Sequence, residues 1–426
     1  MGMEFSDVSA FGQLKELYSS DVKYQEFIMS SFYNFINKDR GDVQFDGANF
    51  NIPVDLQINE SYAALNDGER LPEGDTFKGV FAKYGPKRMY SSIEATMFAA
   101  TRGHKNGRPD GKALDKLMRG TLISFLSNLD SDLQGNGRGA RATIAAGVVA
   151  GAASFPVVSS VRLRPGMKLD WYDATLATKR GTIKVSLKGV DRMNKTVYVD
   201  STFGTGVVPV GAVAADRLVV MGALSAGEPS DGRHVAGMEM ITDNTLALGG
   251  LSPSDYASWM ATVLNATQGN PTQEILQLLW DSMYTVSGFY PNRMSFNPAW
   301  KRAYLSNFLN QRRFNSNSFD TGASNVTFSP VKMGEDEKGK KPGEFKMLED
   351  PKCEPTLTYL WNHDALRFVS DYADSPHLAD EDGSEFRFRQ GYDAIMAFYR
   401  FWANTVVDQR NAIGKIYNFA TPSGVI

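Results

Sequence analysis

The sequence predicts an α+β chain with more than one packing unit. Three features carry that reading: a long amphipathic helix near residues 108–135, a strand–turn–strand arm before it, and strand-rich segments from about residue 160 onward. The length of 426 residues exceeds what a single hydrophobic core usually serves. With 42% hydrophobic and 22% charged residues, the composition lies well inside the range of chains that fold.

In chain order, SDVKYQEFIMSSFYNFINKDRG suggests a short helix capped by Ser20 or Asp21 and ending near Gly41. FDGANFNIPVDLQI, from Phe45 to Ile58, alternates in the manner of a strand, and Asn66-Asp67-Gly68 is a strong turn signal. The chain is therefore expected to go out, turn and return through FKGVFAKYGPKRMYSSIEAT. In the long helix, Leu114, Leu117, Met118, Thr121, Leu122, Phe125, Leu126 and Leu129 share one face, with Asp110 as cap and Gly135 as stop. Its other face, charged or small, is expected to meet solvent or a neighbour.

The stretch TIAAGVVAGAASFPVV, from Thr143 to Val158, is too short to span a bilayer and is broken by Pro156, so it reads as buried or interface packing. Residues 161–220 carry short strands separated by Pro-Gly, Lys-Arg-Gly and Met-Asn-Lys turns, a compact β module. Helices are expected in TQEILQLLWDSMYTVSG and PAWKRAYLSNFLNQ, with a strand in PNRMSFNP between them. The polar segment from Phe314 to Pro355 reads as a mobile surface loop. Strand character returns in PTLTYLWNHDALRFVSD, SEFRFRQGYDAIMAFYRFWANTVV and GKIYNFATP.

A net charge of −3 supplies no general attraction for nucleic acid or an anionic membrane. One cysteine, Cys353, permits no intrachain disulfide, and MGMEFSDVSAFGQ lacks the basic and apolar regions of a secretory signal. GEDEKGKK, Gly334 to Lys341, nearly matches a phosphate loop but has Lys341 where a metal-binding Ser or Thr is needed. GNGRGAR, Gly135 to Arg141, follows a helix rather than a strand, so it reads as a helix stop and a flexible basic loop. His104, His234, His363 and His377 are scattered, Asp380, Glu381, Asp382 and Glu385 do not have EF-hand spacing, and no GxSxG elbow is present. No catalytic, cofactor-binding or metal-ligating residue is assigned, and no enzyme activity or cofactor is expected.

The order of elements, with Asn66–Pro72, Tyr84–Thr96, RPGMKLDWYD at Arg164–Asp173, GLSPSDYASWMATV at Gly250–Val263, PNRMSFNPAWKRAYL at Pro291–Leu305 and NAIGKIYNFATP at Asn411–Pro422, resembles a tailed-phage major capsid protein of the Hong Kong 97-type shell fold. That resemblance implies an N-terminal arm (1–42), an extended β-hairpin loop with flanking peripheral-domain strands (43–100), and the peripheral domain's spine helix with the segment after it (101–159). It further implies an inserted β module (160–225), a mostly axial domain (226–380), and peripheral-domain strands with a C-terminal axial segment (381–426). It implies pentamers and hexamers of one chain in an icosahedral head shell around double-stranded DNA, assembled in the bacterial cytoplasm and resident in the virion. Scaffold and portal proteins are the expected partners, with decoration proteins as an optional addition, no membrane and no sequence-specific DNA binding.

On this reading the extended loop meets a neighbouring subunit. The expected inter-subunit contacts are Phe77, Val80, Phe81 and Tyr84, which dock, and Asp67, Glu69, Arg70, Lys78, Lys83, Lys87 and Arg88, which set register. Some family members cross-link this loop through a lysine and an asparagine; no motif here identifies the acceptor, and closure is expected to be non-covalent. Two alternatives stand beside this reading: an encapsulin-like compartment shell, and a metal-dependent hydrolase using His363, His377 and the acidic loop.

Overall fold

The computed structural model of the chain describes residues 31–38, 43–57, 61–67, 69–71, 73–74, 78–96, 111–224, 232–306, 345–370, 376–378, 387–388 and 391–420. A short helix α1 (Ser31–Phe35) precedes strands β1 (Gln44–Phe45), β2 (Phe50–Gln57) and β3 (Lys78–Tyr84), which form an antiparallel sheet in that order. Alternation decides its faces: Phe50, Ile52, Val54, Ala82 and Tyr84 are buried, while Pro53, Asp55, Phe81 and Lys83 are exposed. After Gly85-Pro86, where proline has no N–H to donate, strand β4 (Lys87–Thr96) leaves this sheet for another.

The long helix α2 (Gly111–Leu133) spans about 34 Å at 1.5 Å per residue. Its predicted face packs as expected: Leu117, Met118 and Leu122 lie against Ile93, and Phe125, Leu129 and Leu133 enter the main core with Phe32, Phe50 and Trp361. The opposite face departs from expectation, because Ser127, Asp130, Ser131, Asp132 and Gln134 are also buried. Basic side chains from later segments cover them. The expected cap Asp110 lies outside the described residues; Gly135 ends the helix, its N–H donating to the Asp132 carbonyl at 2.8 Å.

GNGRGAR is not a flexible basic loop. Gly135, Asn136, Gly137 and Gly139 are buried, and Arg141 is built into the interior. Strands β5 (Ala140–Thr143), β6 (Ser154–Pro156), β7 (Lys168–Tyr172), β8 (Lys179–Asp191), β9 (Thr196–Val199) and β10 (Arg217–Val220) form an antiparallel sheet ordered β5-β10-β7-β8-β9-β6. A bridge between Ile144 and Val157 joins its two end strands, so the six strands close into a barrel at that point. The small-residue stretch from Thr143 to Val158 supplies that closure, placing β5 and β6 in the module although both lie upstream of residue 160. Its separate core centres on Trp171, 4.9 Å edge-on from Phe155, with the indole N–H donating to Asp216 at 2.9 Å.

The remaining elements are α3 (Met238–Ile241), β11 (Thr262–Asn265), α4 (Gln273–Ser287), β12 (Arg293–Phe296), α5 (Pro298–Ser306), β13 (Lys346–Glu349), β14 (Thr358–Trp361), β15 (Leu366–Ser370), β16 (His377–Leu378), β17 (Arg387–Phe388), β18 (Ala394–Val407) and β19 (Ile413–Tyr417). One mixed sheet runs β11-β19-β14-β12-β13, with Leu276, Leu279, Trp280 and Met283 of α4 packed beside it. The other is organised on β18, which pairs with β15, β16, β17 and, over ten residues, with β4 from Lys87↔Ala403 to Thr96↔Ala394. The segment expected as a loop to Pro355 is thus structured at its end: β13 joins a sheet, and Asp350, Lys352 and Cys353 are buried. Lys340, Lys341 and the acidic residues Asp380, Glu381, Asp382 and Glu385 lie outside the described residues.

Arg410 joins the C-terminal region to the loop after α3. Fully buried, its guanidinium donates to the carbonyls of Ile241 (2.8 Å), Asp243 (2.6 Å), Leu246 (3.3 Å) and Trp259 (3.5 Å). Burial lowers its affinity for the proton to a pKa of about 10, still well above neutrality. Arg410→Ala leaves these carbonyls without their donors and is expected to cost at least about 3 kcal/mol, since each unsatisfied buried group costs about 1–3. Denaturant unfolding of the subunit measures it.

Candidate functional site

The arm is the first candidate, because it carries apolar side chains that its own subunit leaves in water. Beyond β2 and β3, residues 61–67, 69–71 and 73–74 have no regular structure. Asn66 and Glu69 close the expected turn, the Glu69 carboxylate accepting from the Asn66 backbone N–H at 2.9 Å and side-chain amide at 3.1 Å. Those bonds hold the Glu69 carboxyl below its ordinary range. Arg70 pairs with Glu73 at 2.5 Å, both ends solvated, so the pair contributes little stability.

The residues expected to contact a neighbour fall into two groups. Asp67, Glu69, Arg70, Lys78, Phe81, Lys83 and Arg88 are exposed. Tyr84, Val80 and Lys87 are instead engaged within their own subunit. Tyr84 is 3% exposed and its hydroxyl donates to the Val407 carbonyl at 3.3 Å. Val80 packs against the main core, and Lys87 Nζ donates to the Gly232 carbonyl at 2.8 Å. Period-2 alternation explains the split, since Val80, Ala82 and Tyr84 point inward while Phe81 and Lys83 point outward. Phe77 lies outside the described residues. Sequence reading passed over Tyr62 and Leu71, which are 94% and 77% exposed; the signal was an aromatic and a leucine set among polar turn residues.

The root of the arm rests on a buried cluster of charge at the C-terminal end of α2. Asp130 Oδ2 meets Lys352 Nζ at 3.0 Å, and its Oδ1 accepts from the Tyr33 backbone N–H at 2.9 Å, which docks α1. Asp132 meets Arg141 at 2.8 Å and His234 Nδ1 at 2.8 Å. Carboxylates here oppose the helix dipole. Basic side chains also reach backbone carbonyls at this end: Lys352 Nζ donates to Ser127 O at 2.9 Å, which also accepts from the Ser131 hydroxyl, and Arg162 donates to Gln134 O at 3.1 Å. Two glycines allow the close approach; a Cβ on Gly237 would lie 2.3 Å from Asp132 O, and one on Gly232, at φ +62°, 2.3 Å from Gly137 O.

Burial pushes the Asp130 carboxyl up, with nearby Asp350 adding to it and Lys352 opposing. Burial acts the same way on Asp132, but Arg141 and then His234 outweigh it and hold that carboxyl at about 2. His234, expected as an isolated histidine, therefore belongs to this cluster. His363 and His377 do not join a metal centre among the described residues, where no group of three or more ligating side chains occurs. No helix of the described residues is long and apolar enough to cross a membrane.

No protein-family model matches the chain, and no curated protein matches its sequence. Among solved structures, it is similar to a chain of the cyanophage A-1(L) capsid asymmetric unit, at 10% identity and a TM-score of 0.52 over 95% of this chain and 98% of that one. A Gordonia phage Cozz chain aligns at 11% identity and TM-score 0.46, over 98% and 96%. A chain of an encapsulin complex from Synechococcus elongatus aligns at 7% and 0.45, over 96% and 95%. The likeness is one of fold, and the fold is that of a phage capsid subunit, as the resemblance implies.

Asp132→Asn leaves Arg141 buried without a charged partner and is expected to cost about 3–5 kcal/mol at neutral pH. The depressed carboxyl also sets a pH window. Its contribution, about 2 kcal/mol, is present above its ordinary value of 3.8 and is lost as pH falls toward 2. Thermal unfolding of both proteins between neutral and acid pH should show the gap narrowing in that window.

Proposed function

We propose that the chain is a tailed-phage major capsid protein that assembles as pentamers and hexamers into an icosahedral head shell enclosing double-stranded DNA. The observation that carries this reading is the arm: Tyr62, Leu71 and Phe81 lie in water on a chain of which 95% aligns with a chain of a phage capsid. Burying an exposed leucine or phenylalanine contributes roughly 1.5–3 kcal/mol. One arm per subunit, repeated around a closed shell, accumulates that gain without a strong single contact.

The role is geometric rather than catalytic. Residues 43–96 act as the extended loop with its flanking peripheral-domain strands, α2 as the spine of the peripheral domain, and the sheet β11-β19-β14-β12-β13 as the axial domain. A neighbour covers the outward face of β2 and β3, where Pro53 and Phe81 stand opposite each other. Asp67, Glu69, Arg70, Lys78, Lys83 and Arg88 set register at the rim of that contact. Scaffold and portal proteins are the expected assembly partners, and the virion is the expected location.

Deleting residues 61–74 removes the exposed tip and spares β3, whose inward side chains belong to the subunit core. The shortened protein should keep the native circular dichroism and unfolding midpoint yet form no closed particles by electron microscopy. Normal particles from it would sink the docking role of the arm. Phe81→Asp should weaken assembly in the same direction with the subunit still folded. Purified particles of the intact protein are expected to contain DNA; particles filled with a protein cargo and free of DNA would point to a compartment shell instead.

A further inference from the structure

The barrel and the arm carry opposite charge. Residues 140–220 contain eleven Lys and Arg against five Asp and no Glu, a net charge of +6 that leaves −9 on the rest of the chain. Part of it is answered where the barrel meets its neighbours: Arg141 pairs with Asp132, Arg162 lies 3.8 Å from Glu239, and Lys195 is near Glu354. Within the barrel, Lys179 pairs with Asp170, Arg180 with Asp216 and Lys184 with Asp200. Lys168, Lys188 and Arg192 have no carboxylate partner among the described residues.

These three sit on the β8–β9 hairpin and on the adjoining strand β7, where Lys168 stands opposite Lys184. Lys188 lies over the Tyr198 ring at 3.8 Å and Lys168 over Phe203 at 5.1 Å, contacts that orient an ammonium without neutralising it. Asp191, the hairpin's one carboxylate, serves its own turn, accepting from the Met193 and Asn194 backbone N–H groups at 3.1 Å and the Asn194 side chain at 2.7 Å. Three cations against that carboxylate leave an excess of about two positive charges. Beside them stand apolar side chains in water. The ladder shifts register between Val185 and Val190, and Leu187 in that stretch is 88% exposed; Met193 in the turn is 68% exposed. A nucleic-acid backbone offers nothing to those two side chains, whereas an acidic and apolar protein surface answers both features.

The arm tip has that chemistry. Residues 61–76 hold Asp67, Glu69, Glu73 and Asp75 against Arg70 alone, a net charge of −3, and Tyr62 and Leu71 stand in water among them. Within one subunit the two surfaces do not meet, since Tyr62, Leu71, Leu187 and Met193 are all exposed in the same chain. We infer that the β8–β9 hairpin of the barrel receives the arm tip of a second copy of this chain. Tyr62 and Leu71 cover Leu187 and Met193, and the arm's carboxylates face Lys168, Lys188 and Arg192. Each copy gives an arm and offers a hairpin, so the contact is head-to-tail and repeats from subunit to subunit around a ring. The inference rests on the shell reading and names the surface on which the arm docks.

The test is disulfide trapping between two full-length proteins, Leu71→Cys and isotopically labelled Leu187→Cys, mixed and oxidised both in dilute solution and under assembly conditions. The natural Cys353 is buried, so each chain offers one reactive thiol. Mixed dimers, identified by mass, should form. Val210→Cys in place of Leu187→Cys is the comparison: Val210 is 89% exposed but lies beside Pro209, which packs at the start of β8 near Gly181, away from the hairpin turn. It should give at least about tenfold less mixed dimer. Adding Lys188→Glu and Arg192→Glu to the Leu187→Cys chain should lower the yield about tenfold or more, and Asp67→Lys with Glu73→Lys on the Leu71→Cys chain should restore it. Equal trapping at Val210, or a yield that charge reversal leaves unchanged, would overturn the docking. So would duplex DNA binding that Lys188→Glu and Arg192→Glu abolish in a protein that traps no dimer. Particles by electron microscopy without trapping would keep the shell and reject this contact; trapping without particles would keep the contact and reject the shell.

Discussion

Burying carboxylates at the C-terminal end of a helix is unfavourable twice over, through desolvation and through the helix dipole, and the rest of this structure is arranged around that constraint. Asp130 and Asp132 sit there with almost no solvent. Lys352, Arg141 and His234 reach them from different parts of the chain, and Arg162 takes the Gln134 carbonyl. Because each partner arrives from a different element, the cluster draws α1, the barrel, the 232–241 segment and the strand region around β13 onto one helix end. Apolar packing along Phe125, Leu129 and Leu133 supplies the bulk attraction; the charges fix the orientation.

The arm depends on that orientation. β3 and β4 are consecutive in the chain but belong to different sheets, so Gly85-Pro86 is a hinge point in the topology. β4 is anchored to β18 over ten residues, while β3 is held by β2 and by the burial of Ala82 and Tyr84. The root is thereby rigid and the tip is free of its own core. Under the proposed shell role, an anchored root and an exposed tip serve contacts that differ slightly around different symmetry axes. The barrel adds a second packing unit with its own core, joined end to end by the Ile144–Val157 bridge.

Much of the local structure was legible in the sequence because its signals are periodic and short-range. The leucine spacing marked the packed face of α2, alternation marked β2, the Asn66-Asp67-Gly68 turn signal implied the returning β3, and the strand-rich ending marked β14, β18 and β19. Tyr84 was the instructive exception among candidate contacts. Its aromatic ring suggests docking when read alone, but its parity with Ala82 sends it inward.

By itself, then, the sequence determined element types, the packed face of the helix and an arm too poor in self-burial to stand alone, since these follow from periods of two and 3.6 residues along the backbone. Only the tertiary structure decided which charges are buried, where GNGRGAR runs, that TIAAGVVAGAASFPVV closes a barrel, and that Lys352 belongs to the interior rather than to a surface loop. The physical reason is range. Asp130 and Lys352, or Ile144 and Val157, acquire their roles only when distant segments meet, and no local pattern encodes the partner that makes a buried charge or a closing strand stable.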